Sequence, residues 1–121
     1  MDLLFFLFHQ KKKKMEMIYI RGVKHVLAIP AEQIARVEAK SNYSKIYLLD
    51  GKQYVYSRIL SWFEERLPPE SFLRINRGQL INKKLVVGID GALQKQIILH
   101  TGESFVISRR RETKIKKAMA A

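Results

Sequence analysis

The sequence predicts a mainly β fold, made of antiparallel hairpins with two short helices. Three observations predict it. Short runs rich in β-branched and aromatic residues recur and are separated by turn pairs, namely Asp50-Gly51, Asp90-Gly91 and Thr101-Gly102. Ile34-Ala-Arg-Val-Glu-Ala-Lys40 sets Arg36, Glu38 and Lys40 opposite Val37 and Ala39, the alternation of a strand with one wet face. Apolar residues at helical spacing are confined to Ile59–Leu67, and a cap signal at Ser108 opens a second, basic segment.

Taken in order, Met17–Arg21 is rich in β-formers, Gly22-Val23-Lys24 can turn, and His25–Ile29 runs back. Pro30 stops that strand, since it donates no ladder hydrogen bond. Ala31–Ile34 allows one helical turn before the alternating strand. Lys40–Lys45 interrupts the apolar pattern with hydrogen-bonding groups, and Ile46–Leu49 resumes it. Asp50-Gly51 then turns the chain into the return strand Gln53–Tyr56.

Ser57 is the expected N-cap of the first helix. Its apolar stripe is Ile59, Leu60, Phe63 and Leu67, beside Trp62, and Pro68-Pro69 ends it. Phe72–Asn82 follows. Its apolar residues anchor it, and Arg74, Asn76, Arg77 and Gln79 lie between the anchors, with Gly78 expected where a side chain would clash. Leu85–Ile89, Leu93–His100 and Ser104–Ile107 complete the strands. Arg109–Met119 is the final helix, with Arg109, Arg110 and Arg111 in a first turn where cations oppose the helix dipole.

Length and composition bound the function. The 121 residues suit one domain, and 47% hydrophobic with 28% charged residues is ordinary for a globular chain. The charge is not ordinary. Twenty-three Lys and Arg face eleven Asp and Glu, for a formal +12 and a pI near 10.1. Such an excess repels itself and suits a polyanion, nucleic acid first and an anionic membrane surface second. There is no Cys, so disulfides are excluded and a reducing, cytoplasmic setting fits. The three His are far apart, and neither a metal site nor a cofactor is expected.

Residues 1–16 read as a loosely ordered tail ahead of a domain over 17–119. The apolar run Leu3–Phe8 is far short of the roughly 20 residues of a membrane helix. Its charge, Lys11–Lys14, follows the apolar run, the reverse of a signal peptide. The same residues could form a weak interfacial anchor.

Catalytic signatures are missing. The sequence has no phosphate-cradling Gly-rich loop, no Gly-x-Ser-x-Gly elbow and no His-Glu-x-x-His pair. Glu64 and Glu65 are adjacent on a helix and do not face each other. The chain therefore reads as a binder, not an enzyme. Polar groups collect at Lys40–Lys45, Arg74–Gln79 and Ser108–Arg111. Arg pairs bidentately with guanine, and Asn or Gln with adenine, so these stretches suit base reading. Solvated strand ends and a solvated basic helix are the plain alternatives.

Over about residues 17–118 the chain resembles a LytTR-type DNA-binding domain. The resemblance rests on Ile34–Tyr43, the Asp50-Gly51 hairpin, Ser57-Arg-Ile-Leu60 before a helix ending at Leu67-Pro68, Phe72–Arg77 with Leu80-Ile-Asn82, and Val106–Arg109. It implies an elongated, mainly antiparallel β fold. It also implies a bacterial transcription regulator, commonly set behind a phosphoreceiver domain, that inserts loops into successive major grooves of repeated promoter elements. Carried over, Asn42, Tyr43, Ser44, Asn76, Arg77, Arg109 and Arg110 are the expected base readers. Lys40, Lys45, Arg74, Lys83 and Arg111 are the expected phosphate contacts, and Asn82 a structural hydrogen bonder. The implied partners are double-stranded DNA, a second copy on that DNA, and a separate sensor or receiver protein. Asn76 stands where the family commonly has His, Gly78 where it has Ser, and Gln79 where it has an aromatic residue. These departures bear on the target sequence. The alternative reading is a membrane-surface or single-stranded nucleic-acid module, the latter stacking bases on Tyr43, Tyr47, Tyr54 and Tyr56.

Overall fold

The structure, a computed structural model, describes residues 16–22 and 24–120. The expected tail and its apolar run therefore lie outside the described residues, apart from Glu16. The first hairpin pairs β1 (Met17–Arg21) with β2 (Val26–Pro30). Pro30 is the last residue of β2, opposite Met17, where its missing N–H breaks no later ladder bond. A 3₁₀ turn, Ala31–Gln33, leads into the central sheet.

That sheet has five strands: β3 (Ile34–Lys40), β4 (Tyr43–Leu48), β5 (Gln53–Tyr56), β6 (Phe72–Asn76) and β7 (Gln79–Asn82). Their order is β5-β4-β3-β7-β6, and all neighbours are antiparallel. Helix α1 (Leu60–Arg66) joins β5 to β6. A 3₁₀ turn at Lys83–Leu85 passes into a smaller sheet of order β10-β9-β8, from β8 (Val86–Asp90), β9 (Gln96–Leu99) and β10 (Ser104–Val106). A 3₁₀ turn of Arg109–Arg111 then runs into helix α2 (Glu112–Ala120).

At β6 and β7 the central sheet is buried on both faces, with successive side chains of each strand pointing to opposite sides. Phe72 and Leu80 join one core with Ile34, Val37, Ile46, the α1 stripe Leu60, Phe63 and Leu67, and Ile18, Ile20 and Ile29 of the first hairpin. Their chain neighbours Leu73 and Ile81 join a second core with Ile75, Ile97, Leu99, Ile107 and Ile115. Ile34 and Val37 are three apart yet share the first core, because a bulge between Ile34 and Arg36 adds one residue to β3. Burying a side chain such as Phe63 contributes about 1.5–3 kcal/mol.

Several expectations are corrected. Lys40–Lys45 interrupts the strands only at Ser41 and Asn42, which turn, and β4 begins at Tyr43. Period-two alternation continues through the polar letters, with Ser44 and Ile46 buried and Lys45 and Tyr47 on the other face. Ser57 does not cap α1; Ile59 holds the cap position without a side-chain bond, and Ile59 is exposed. Ser108 likewise makes no capping bond, and the three arginines form a 3₁₀ lead-in instead of an α-helical first turn. The α-helix starts at Glu112, whose carboxylate suits the positive end of the dipole. Gly78 is not demanded by its backbone: an added Cβ would meet only the Asn76 Oδ1, at 3.7 Å, an ordinary contact.

Candidate nucleic-acid interface

Strand register places the turns. Lys40 ends β3 opposite Tyr43, Tyr56 ends β5 opposite Ser44, and Gln79 begins β7 opposite Glu38. The Ser41-Asn42 turn, the Arg77-Gly78 turn and the exit of β5 therefore lie at one end of the sheet. The Ser108 N–H donates to the Ile75 carbonyl at 2.9 Å, which brings the Arg109–Arg111 turn to the same end. All three polar stretches singled out in the sequence share one ridge.

Hydrogen bonds fasten that ridge. The Ala39 N–H donates to the Gly78 carbonyl at 2.9 Å, joining the first turn to the second. Asn76 closes the second turn by accepting the Gly78 N–H on Oδ1 at 2.8 Å. Its Nδ2 donates to the Val106 carbonyl at 2.6 Å, tying that turn to the segment ahead of the arginines. Arg74 donates from Nε to the Asn76 carbonyl at 2.8 Å and from Nη2 to the Arg77 carbonyl at 2.7 Å. Its Nη1 lies 3.6 Å from Glu64.

These bonds divide the expected site residues into builders and presenters. Asn76 was expected to read bases, but both ends of its amide are already engaged within the chain. Arg74 was expected on phosphate, but it braces the turn. Ser44 was expected to read bases, but it is fully buried and its Oγ donates to the Arg58 carbonyl at 2.6 Å. Lys83 was expected on phosphate, but it follows the far end of β7, about 13 Å from Gln79 at strand rise, beside Ser71. Asn82 is the structural hydrogen bonder expected of it: it is buried, donates to the Ile34 carbonyl and accepts the Lys84 N–H.

Asn42, Tyr43, Arg77, Arg109 and Arg110 are exposed on the ridge. Among the described residues, no carboxylate lies within ion-pair reach of Lys45, Arg77, Arg109, Arg110 or Arg111. Arg58, at the β5 exit, is a further ridge cation that the sequence reading left out. Its Nη1 reaches the Ser57 carbonyl at 3.1 Å, and its guanidinium lies 5.6 Å from the Trp62 ring centroid. The signal for it was available, since it lies two residues past the end of β5, the return strand of the Asp50-Gly51 hairpin, whose partner β4 starts at the ridge.

Behind the ridge lies a polar cluster on the open face of β3 and β4. Arg36 stacks on Tyr47 at 3.7 Å, donates to Glu38 at 3.1 Å and donates to Gln79 at 3.2 Å. The Tyr47 hydroxyl donates to Glu38 at 3.0 Å, and Lys40 pairs with Glu38 at 3.3 Å. Lys40 is thus held by a carboxylate. Of the four tyrosines offered as stacking platforms, Tyr47 belongs to this cluster and Tyr54 and Tyr56 pack on the first core, which leaves Tyr43 exposed at the ridge.

Burial works to raise the Glu38 pKa, but hydrogen bonds from Arg36, Tyr47 and Lys40, with the Arg36 charge, outweigh it and hold the carboxyl below the usual range. A carboxylate depressed in the folded state contributes stability that is present above its unfolded pKa and lost as pH falls through the folded one. Unfolding midpoints measured against pH should therefore fall more steeply on acidification in the native chain than in Glu38→Gln.

No group of His, Cys, Asp or Glu among the described residues could hold a metal ion, and none of the described helices is long and apolar enough to cross a membrane.

The architecture is an antiparallel sheet whose one end is fastened by hydrogen bonds and carries unpaired cations among the described residues. The chain belongs to the LytTR family: the family model for the LytTr DNA-binding domain matches residues 24–120. The fold is shared with the LytTr DNA-binding domain of a Bacillus cereus protein described as a methyl-accepting/DNA response regulator. That match has a TM-score of 0.71 at 18% identity and covers 88% of this chain and 98% of that one. No curated protein matches the chain.

Proposed function

We propose that this protein is a sequence-specific duplex-DNA binder that regulates bacterial transcription from the cytoplasm. The observation that carries this reading is the ridge itself. Three polar segments, distant in sequence, are fastened side by side and present Asn42, Tyr43, Arg77, Arg109 and Arg110 outward. In this reading Arg77 and one of Arg109 or Arg110 contact base edges, with Asn42 and Tyr43 beside them. Lys45, Arg58 and Arg111 neutralise phosphates, and Lys40 joins them once it leaves Glu38.

Five strands and the arginine turn, spaced about 4.8 Å apart, give a ridge of roughly 24 Å. Successive major grooves recur about every 34 Å along the duplex, so long side chains reaching outward from the two ends of the ridge would cover the remaining distance between them. On repeated promoter elements, two copies would sit in register with the repeats, under the control of a separate sensor or receiver protein. Selecting bound duplexes from a random pool tests the reading. An enriched motif with a regular half-site spacing is expected, and recovery of unselected sequence would refute base reading.

Lys83 supplies an internal control. Placed at the far end of β7, it should stay off the DNA, so Lys83→Ala should leave both affinity and its salt dependence unchanged in a fluorescence titration. A salt slope lower by about one would return Lys83 to the interface.

A further inference from the structure

A cleft of about 220 Å³ lies between α1, β6 and α2, and of its lining side chains the DNA-binding proposal gives only Arg111 a phosphate. Its floor is apolar, with Pro69 and Ala118 accessible in the lining and the nearly buried Leu67, Leu73 and Ile115 beneath them. Arg74, Arg111 and Lys114 also line it, with Glu64 as the facing carboxylate. Three cations against one carboxylate leave the cleft with an excess of two positive charges. Arg74 is mostly buried, with 15% of its side chain exposed, and its ion pair with Glu64 is loose at 3.6 Å. Burial lowers the Arg74 pKa, Glu64 raises it in part, and the like charge of Arg111 lowers it further. The positive charge there is incompletely matched by its surroundings.

We infer that this cleft is a binding site for a small amphipathic carboxylate, whose headgroup pairs with Arg111 and Lys114 while its hydrocarbon lies against Pro69, Ala118 and the edges of Leu67, Leu73 and Ile115. The mixture decides the class. A bare phosphate would leave the apolar floor wet, and a neutral hydrocarbon would leave the cations unmatched. Occupancy also reaches the ridge, because the Arg74 side chain in the cleft holds the carbonyls of Asn76 and Arg77.

The test is direct titration of the full chain by calorimetry and amide chemical shifts, without DNA, so that its outcome is separable from that of the DNA-binding proposal. Octanoate is expected to bind saturably and to shift the amides of Leu73 and Ala118, with smaller shifts at Arg77 and Gly78. Each methylene removed, down to butanoate, should weaken binding by up to about fourfold. Octanol and inorganic phosphate should both bind more weakly than octanoate. Lys114→Gln should weaken octanoate about threefold to tenfold. Ala118→Leu, which fills the cleft without touching a charge, should abolish binding while the unliganded spectrum stays folded. Absence of saturable octanoate binding would overturn the inference. So would equal binding of octanol or phosphate, full octanoate affinity in folded Ala118→Leu, or shifts centred on Asn42 or Arg109 instead of the cleft.

Discussion

Arg77→Ala is expected to lose about 1–3 kcal/mol of binding free energy on the selected duplex, up to roughly a hundredfold, and much less on random duplex. The side chain is exposed at the tip of a two-residue turn, and its guanidinium has no carboxylate partner among the described residues. The turn itself is held by the Arg77 backbone carbonyl, which alanine retains. The substitution should therefore leave the unfolding midpoint nearly unchanged while relaxing base preference at one position. Equal losses on selected and random duplex would make Arg77 a phosphate contact, and the proposed base reading at the centre of the ridge would fail.

Arg74→Ala should behave in the opposite way. It removes two charge-assisted hydrogen bonds to the turn and the pairing with Glu64. Each such bond contributes about 1.5–3 kcal/mol when buried, and the turn carbonyls can recruit water, so a loss of about 2–3 kcal/mol in fold stability is expected. Denaturant unfolding measures it. DNA affinity should fall by a similar factor on every duplex, because a loosened turn must be reordered on binding, and the salt slope should hardly move. A slope lower by about one with stability intact would place Arg74 on a phosphate after all.

Much of this was legible in the sequence, for local reasons. Period-two alternation marked β3 and the spacing of Leu60, Phe63 and Leu67 marked α1, since each pattern encodes which side of an element is buried. Asp50-Gly51 and Thr101-Gly102 marked turns because glycine accepts the positive φ found at Gly51 and Gly102. The three polar stretches were visible as interruptions, and they do gather at one end of the sheet.

What the letters hid was which polar group faces inward. Ser44 sits in a core position of β4 because the Arg58 carbonyl, fourteen residues away, accepts its hydroxyl proton. Asn76 and Arg77 are neighbours of similar polarity, yet one locks the turn to Val106 and the other projects from it. Those outcomes depend on partners brought close only by the pairing of distant strands. The distance of Lys83 from Arg77 was hidden for a simpler reason: four residues of strand carry it to the opposite end of the sheet, which proximity in sequence disguises.

Backbone amide shifts recorded while adding a duplex carrying the selected motif bear most directly on the account. The largest changes should fall on Asn42 and Tyr43, on Arg77 and Gly78, and on Arg109 to Arg111, with Lys83 to Leu85 and the exposed side of α1 silent. Changes centred on the Lys83 end of the sheet, or spread evenly over the surface, would contradict a DNA-reading ridge.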